Sequence, residues 1–236
     1  MRPCTYLFAA VLFTLPAFSP AAADEDQADC LGVDFVVQHP VTIAKIIADK
    51  PRTFFVKNVS DDASCPADGD ACLEKAYLVP GDLVLVGKTH GAYTCVSYQS
   101  AADRKQNWTN GWLPSAALTP VMSAPAPARS DWIGGWLHAG GEIDIRAGKK
   151  GGVIIHGEQV YPAAQDVHNG VIDATAKPAN GLLQFADDGS VPFDKAAVDA
   201  TCLVRMQRIE ALLVVEDNVQ CGGVMVTFTG FYRKKK

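Results

Sequence analysis

Signatures of nucleotide and hydrolytic chemistry are missing from this chain of 236 residues. It has no P-loop, no dinucleotide-binding glycine fingerprint and no G-x-S-x-G nucleophile elbow, so the NTPase, Rossmann and α/β-hydrolase readings have no support. Positive charge is also scarce. The 21 Lys and Arg residues stand against 26 Asp and Glu, for a net charge of −5, which is the wrong sign for neutralising nucleic-acid phosphates. Histidines number five and are scattered. Paired carboxylates, which any two of the acids could form, would still need the bulk and cleft-building helices of a glycosidase, and the sequence writes neither. Long apolar runs are lacking too: the stretch from Tyr6 to Phe18 is too short to cross a bilayer and no second one follows.

That short run has another reading. Arg2, the apolar stretch and the A-x-A pattern of Ala21, Ala22 and Ala23 describe a secretory signal peptide over residues 1–23, cleaved near Ala23. The expected location is periplasmic or secreted. Cys4 lies upstream of the apolar core, where a lipoprotein cysteine cannot be, so no lipid anchor is expected. The mature chain from Asp24 carries a net charge of about −6. Its basic C-terminal cluster, Arg233 to Lys236, reads as a solvated tail or, alternatively, a surface-adhesion element.

Six of the seven cysteines remain after cleavage, an even set that predicts three disulfides in an oxidising compartment. "CPADGDAC" places Cys65 and Cys72 at the ends of a turn-rich loop, and Cys202 and Cys221 flank a hairpin far from the others. Cys30 is then left to Cys95 by default.

"LTPVMSAPAPARSD" alternates proline with alanine and serine and has no apolar period, which makes residues 121–130 a semi-extended linker. It separates residues 24–120 from 131–236, and each half is large enough to fold alone. In the first, "RTFFVKN", "DLVLVGK", "YTCVSYQ" and "NGWLPSAAL" read as short strands. "PVTIAKIIADK" at 40–50 has helical spacing behind Pro40 and predicts a short helix packed on a barrel. In the second half, "GEIDIRAGKKGGVIIHGEQV" predicts a hairpin, and "GLLQFADDGS", "ATCLVRMQRIEALLVVEDN" and "GGVMVTFTGFYR" predict further strands. The last alternates, with Val224, Val226, Phe228 and Gly230 on one face and Met225, Thr227, Thr229 and Phe231 on the other. Six to eight strands suffice to close a small antiparallel barrel.

The segment from "KAYLVPGDLVLVG" through "YTCVSY" to "TNGWLPSAAL" resembles a bacterial SH3 domain, mainly through Gly111, Trp112, Leu113 and Pro114, which match the family's closing G-W-x-P turn. The resemblance implies a small SH3-like barrel and a ligand that is a peptide or peptidoglycan. It departs from the peptide-binding pattern at Ala117, where eukaryotic members carry a groove tyrosine, and polyproline grooves need stacked aromatics. Two readings of the remaining aromatics stand: Tyr93, Tyr98, Trp108 and Trp112 form a different platform for a peptide or glycan, or Trp112 and Tyr93 are core and Trp108 is a loop residue.

"DWIGGWLHAGG" and "GFYRKKK" bracket the second half. Gly134-x-Trp136 with Arg233 on the last strand resembles the closure of calycin barrels, in which a tryptophan seals the barrel and an arginine packs over its ring, a contact favourable by about 0.5–2 kcal/mol. "EDNVQCGGVMVTFTGFYR" is similar to the C-terminal domain of exported proteobacterial proteins grouped with lysozyme-inhibitor-like families. The resemblance implies a location and an architecture: an all-β chain, with an N-terminal SH3-like barrel and a C-terminal antiparallel calycin-like barrel.

Catalytic alternatives find little in the residues. A thiol-dependent cell-wall hydrolase would need a free Cys95 with His138, His156 or His168 as base, but Cys95 sits mid-strand in an even cysteine set. His156-Gly157-Glu158 has the H-x-E of zinc deaminases without the P-C-x-x-C partner, and His156, His168 and Asp166 are the one conceivable metal trio. No metal or cofactor is expected, and the triplets starting at Asn58 and Asn107 read as chance glycosylation matches. The expectation is a non-enzymatic envelope binding protein whose partner is peptidoglycan or an envelope protein, in its sharper form a lysozyme-type hydrolase, often basic and so matched to an acidic chain. Neither nucleic acid nor a transmembrane segment enters this account. The rival is small-ligand carriage in a cavity lined by Ile145, Ile155, Phe185 and Phe228.

Overall fold

A computed structural model of the chain describes residues 29–34, 37, 39–47, 49–100, 108–121, 127–162, 166–189 and 191–236. The expected signal peptide and the Pro/Ala-rich residues 122–126 lie outside these. Among the described residues no helix is long and apolar enough to cross a membrane.

The chain is all-β. Seven strands form a first antiparallel sheet: β1 (Thr42–Ile46), β2 (Thr53–Val56), β3 (Leu73–Leu78), β4 (Leu83–His90), β5 (Tyr93–Tyr98), β6 (Thr109–Pro114) and β7 (Leu118–Pro120), in the order β3-β2-β6-β5-β4-β1-β7. A single-turn helix, α1 (Arg129–Trp132), precedes an eight-stranded antiparallel sheet: β8 (Gly134–His138), β9 (Gly141–Ala147), β10 (Val153–Pro162), β11 (Val167–Ala176), β12 (Leu182–Ala186), β13 (Leu203–Ile209), β14 (Leu212–Asp217) and β15 (Gly230–Lys234). Its order, β11-β10-β9-β8-β15-β14-β13-β12, curls into a nearly closed barrel.

The expected helix over 40–50 is corrected to β1. Ala44 and Ile46 face the first sheet's core with Phe55, Val84 and Leu113, while Ile43 faces the second sheet. A strand buried on both faces loses its polar alternation, and its apolar run then mimics a helical stripe. β5 is buried on both faces for the same reason. Val96 joins the inner core, while Tyr93 and Cys95 join Trp112, Val56 and the sulfurs of two disulfides on the other side.

All three pairs, Cys30–Cys95, Cys65–Cys72 and Cys202–Cys221, are bonded. They fit an extracellular or periplasmic environment.

The second correction concerns the last strand, which begins only at Gly230. Residues 218–229 instead form a plug across the seam between β11 and β12. Asp217, 3% exposed, organises it: Oδ2 accepts the Phe228 N–H at 2.9 Å, and Oδ1 accepts the hydroxyls of Thr227 at 2.7 Å and Thr229 at 3.0 Å. Val226 and Phe228 are thereby buried, whereas Val224 and Met225 point into solvent. The plug docks on β11 through Gly223 N–H to Asn169 O at 3.0 Å. Backbones nearly touch there: a Cβ on Gly170 would lie 2.5 Å from Cys221 O, and one on Gly222 would lie 2.8 Å from Gly170 Cα. Only glycine fits such an approach.

The two sheets pack together. Ile43 and Leu85 of the first meet Ile209, Val214 and Phe231 of the second. Polar contacts frame this apolar joint. Gln99 Oε1 accepts the Phe231 N–H at 3.2 Å and lies 2.9 Å from His138 Nε2. Glu216 Oε1 accepts the Val41 N–H at 3.2 Å, and Lys45 pairs with Glu210.

Candidate functional site

One opening lies on the first sheet, and it exists because the chain from Cys30 to Asp34 is laid across β4, β5 and β6. Four ties hold this segment. The Cys30–Cys95 disulfide anchors its start, Asn58 Oδ1 accepts the Cys30 N–H at 2.8 Å, Ser97 Oγ accepts the Val33 N–H at 2.8 Å, and Asn110 Nδ2 donates to Leu31 O at 3.0 Å. Gly32 sits at φ 127° with Asn110 against it, a conformation that other residues rarely adopt.

The segment is a ridge between two clefts. On one side an opening of about 550 Å³ is lined by Val33, Asp34, His39, Val41, Val86 and Lys88. On the other, a cleft of about 250 Å³ is lined by Ser97, Trp108 and Asn110. Leu31, 77% exposed, crowns the ridge. This combination of apolar walls, an indole, and opposite charges at Asp34 and Lys88 suits an extended chain of mixed polarity, whether peptide or glycan.

The four aromatics singled out as a platform do not form one. Tyr93 and Tyr98 are five residues apart on β5 and therefore face opposite sides. Trp112 is fully buried beside the disulfides, and its expected ring face is covered, with His90 5.9 Å away. Tyr93 is buried as well. Its hydroxyl donates to Asp68 Oδ1 at 2.7 Å, and burial together with this acceptor pushes its pKa up to about 12. These two belong to the core. Trp108 lines the smaller cleft and packs against Phe231 at 6.1 Å between ring centres, while Tyr98 lies in a separate cleft at the joint between the sheets.

That joint cleft, about 220 Å³, is bounded by Asp82, Leu83, Tyr98, Gln99, Leu212 and Arg233 among others. Burial, first, and the neighbouring Asp82 raise the Tyr98 pKa above its usual value.

The cation over Trp136 is not the one expected. Trp136 is fully buried, its Nε1 donating to Trp132 O at 2.9 Å. The cation over its ring is Arg208 of β13, with Cζ 4.4 Å from the centroid, joined by Lys234 Nζ at 5.4 Å. Arg233 is exposed. Parity explains the exchange: Tyr232 points into the barrel, so Lys234 shares its face while Arg233 shares the outer face with Phe231. Arg208 went unnoticed in the sequence, although an arginine in the apolar run "LVRMQRI" was a signal that it had somewhere specific to go. Burial lowers its pKa, and the nearby Asp131 opposes that.

His156 and His168 do not meet. His156 is in register with Asp173 and His168 with Tyr161, which separates them by roughly 17 Å along the strands. His156 bonds Asp173 Oδ1 at 2.7 Å, and this hydrogen bond, aided by Glu158, raises its pKa, favouring the protonated form that is no metal ligand. Among the described residues no group of three His, Cys, Asp or Glu is arranged to hold a metal ion. With Glu142, Asp144 and Arg146, His156 and Glu158 line a depression of mixed charge on the outer face of the barrel. Cys95 is 0% exposed and bonded, so it offers no thiolate. Ile145, Ile155, Phe185 and Phe228, the expected cavity lining, are packed together and at most 5% exposed. No family model, characterised protein or solved structure matches the chain.

Proposed function

We propose that the protein is an exported, non-enzymatic binding protein of the cell envelope that holds an extended ligand, a peptidoglycan strand or a segment of an envelope protein, along the ridge and clefts of its first barrel. The observation that carries this reading is the opening of about 550 Å³ beside the tethered Leu31–Asp34 ridge. Ligand sites are most often concave and largely pre-formed, and a disulfide plus three hydrogen bonds pre-form this one. The resemblance of residues 51–120 to bacterial SH3 domains supports the same ligand class.

The second barrel would present a partner surface. Glu142, Asp144, Glu158 and Asp173 project from β9, β10 and β11 and pair there with Lys235, Arg146 and His156, leaving a mixed surface with a small acidic excess, and complementary charge speeds encounter with a basic protein such as a lysozyme-type hydrolase. The test is co-sedimentation of residues 24–236 with purified sacculi, beside a lysozyme activity assay. Leu31→Glu, at an exposed position, should abolish sedimentation without unfolding the protein. Sedimentation unchanged by that substitution would remove the groove from the account. Lysozyme activity untouched by excess protein would remove the inhibitory form.

A further inference from the structure

Charge is unevenly spread over the second barrel. At one end of it β8 begins, β9 turns into β10, and β11 and β15 finish. Register gathers basic residues from separate parts of the chain there. Val153 pairs with Ala147 on one side and Ala176 on the other, so the turn carrying Lys149 and Lys150 lies beside Lys177. A Cβ on Gly151 of that turn would sit 3.9 Å from Lys177 Cε. The basic tail reaches the same end from β15, with the Lys235 N–H donating to Gly135 O at 2.8 Å. Gly135 is in register with Asp144 on β9, which puts the tail roughly 15 Å from Ala147, where the turn begins. Arg129 of α1, just ahead of β8, adds to the same cluster.

The acids at this end are already spent. Glu142 pairs with Lys235 at 2.9 Å, Asp144 pairs with Arg146, and Asp131 Oδ2 accepts the Ala128 N–H at 2.8 Å. Lys149, Lys150, Lys177 and Lys236 are exposed, and among the described residues they make no ion pair. A local positive excess therefore stands on a chain whose net charge is −5. Asp166 and Asp199 are exposed at the opposite end, so the field of the barrel turns its basic end toward a negative surface.

The kind of cation and its neighbours favour a broad anionic surface over a single anionic group. Most of the cluster is lysine, a mobile point charge without the flat fork that reads one phosphate or carboxylate. The lysines sit on turns and a tail around the rim of a barrel end. Ile154, 48% exposed, stands among them, in register with Arg146 on one side and Thr175 on the other. An apolar side chain beside basic ones gains from the boundary between lipid headgroups and acyl chains.

From this we infer that the end of the second barrel bearing Lys149, Lys150, Lys177 and the basic tail docks peripherally on an anionic phospholipid surface, with Ile154 against the headgroup layer. The ridge of the first barrel takes no part in this contact.

The test is flotation of residues 24–236 with vesicles of phosphatidylcholine alone or mixed with phosphatidylglycerol, and with a DNA duplex added as a competing polyanion. At about 0.1 M salt the protein should float with the mixed vesicles only, and about 0.5 M salt, which shortens the screening length to about 4 Å, should release it. Lys149→Gln, Lys150→Gln and Lys177→Gln together should weaken partitioning about a hundredfold, at about fivefold for each lysine close to an anionic surface. Lys50→Gln, Lys75→Gln and Lys195→Gln together change the net charge equally but away from this end, and should leave most of the binding in place. Both triple variants replace exposed side chains and should keep the parent's thermal midpoint. Flotation with neutral vesicles, equal losses in the two triple variants, release by the duplex at matched charge, or no flotation with mixed vesicles would each overturn the inference. Leu31→Glu should float as the parent does, so failure of the ridge and failure of this surface are separate results.

Discussion

Asp217 is the residue on which the second barrel's seam depends, and removing its carboxylate should show it. Asp217→Ala strips the acceptor from the Phe228 N–H and from two threonine hydroxyls. Hydrogen bonds to a charged acceptor contribute about 1.5–3 kcal/mol each. The hydroxyls can rotate toward other partners, whereas the buried N–H cannot, so the expected loss is about 4 kcal/mol rather than the full sum. Asp217→Asn keeps one oxygen and should lose about half as much. Urea unfolding, with the slope checked for constancy, measures both. A double-mutant cycle with Thr229→Val should give a coupling above about 0.5 kcal/mol, as expected for groups in one network. If residues 224–229 were a continuation of β15, Asp217 would matter little. An Asp217→Ala cost within about 1 kcal/mol, typical of an ordinary substitution, would refute the plug.

Three further outcomes follow from the geometry. Arg208→Met should destabilise by about 1–2 kcal/mol through the lost contact over Trp136, while Arg233→Met stays within about 0.5 kcal/mol; thermal unfolding of the pair decides which arginine closes the barrel. His138 sits at the joint with its pKa pushed down to about 4 by burial. Its unfolded form binds a proton near pH 6.5, so stability should fall as the pH drops from about 6.5 to about 4, by at most about 3 kcal/mol. His138→Gln should flatten that part of the profile. Glu216, raised by burial, contributes with the opposite slope and is left in place in both proteins. Finally, loop-closure entropy ranks the disulfides: sequence separations of 65, 19 and 7 correspond to about 4, 3 and 2.5 kcal/mol. Paired Cys→Ala variants followed by denaturant unfolding should preserve that order.

Much of this architecture could be read from local signals. Glycine-punctuated β-branched runs marked most strands, and cysteine spacing found two of the three disulfides, leaving Cys30–Cys95 by default. What escaped the sequence depended on contacts between distant residues. β1 read as a helix because both its faces are covered, one by its own sheet and one by the other. β3 and β11 were overlooked because their mixed sequences, "LEKAYL" and "VHNGVIDATA", belong to the two ends of their sheets' strand orders, where polar residues are tolerated. The alternation of residues 224–231 was real, but a single carboxylate at Asp217 drew Phe228 out of the ladder, and no periodicity announces that. For the sites, strand parity alone would have separated Tyr93 from Tyr98. The ridge of residues 30–34 carries no motif, and neither does the meeting of Lys177 with the turn at Lys149 and Lys150, since each exists only once the chain has folded over itself.

The claim at the centre of this account is recognition of an envelope ligand without chemistry, and co-sedimentation of the mature protein with intact sacculi tests it most directly. The account predicts that the protein pellets with the sacculi, is displaced by soluble peptidoglycan fragments, and leaves the turbidity of the suspension constant. Protein remaining wholly in the supernatant, or sacculi that clear with release of soluble fragments, would contradict it.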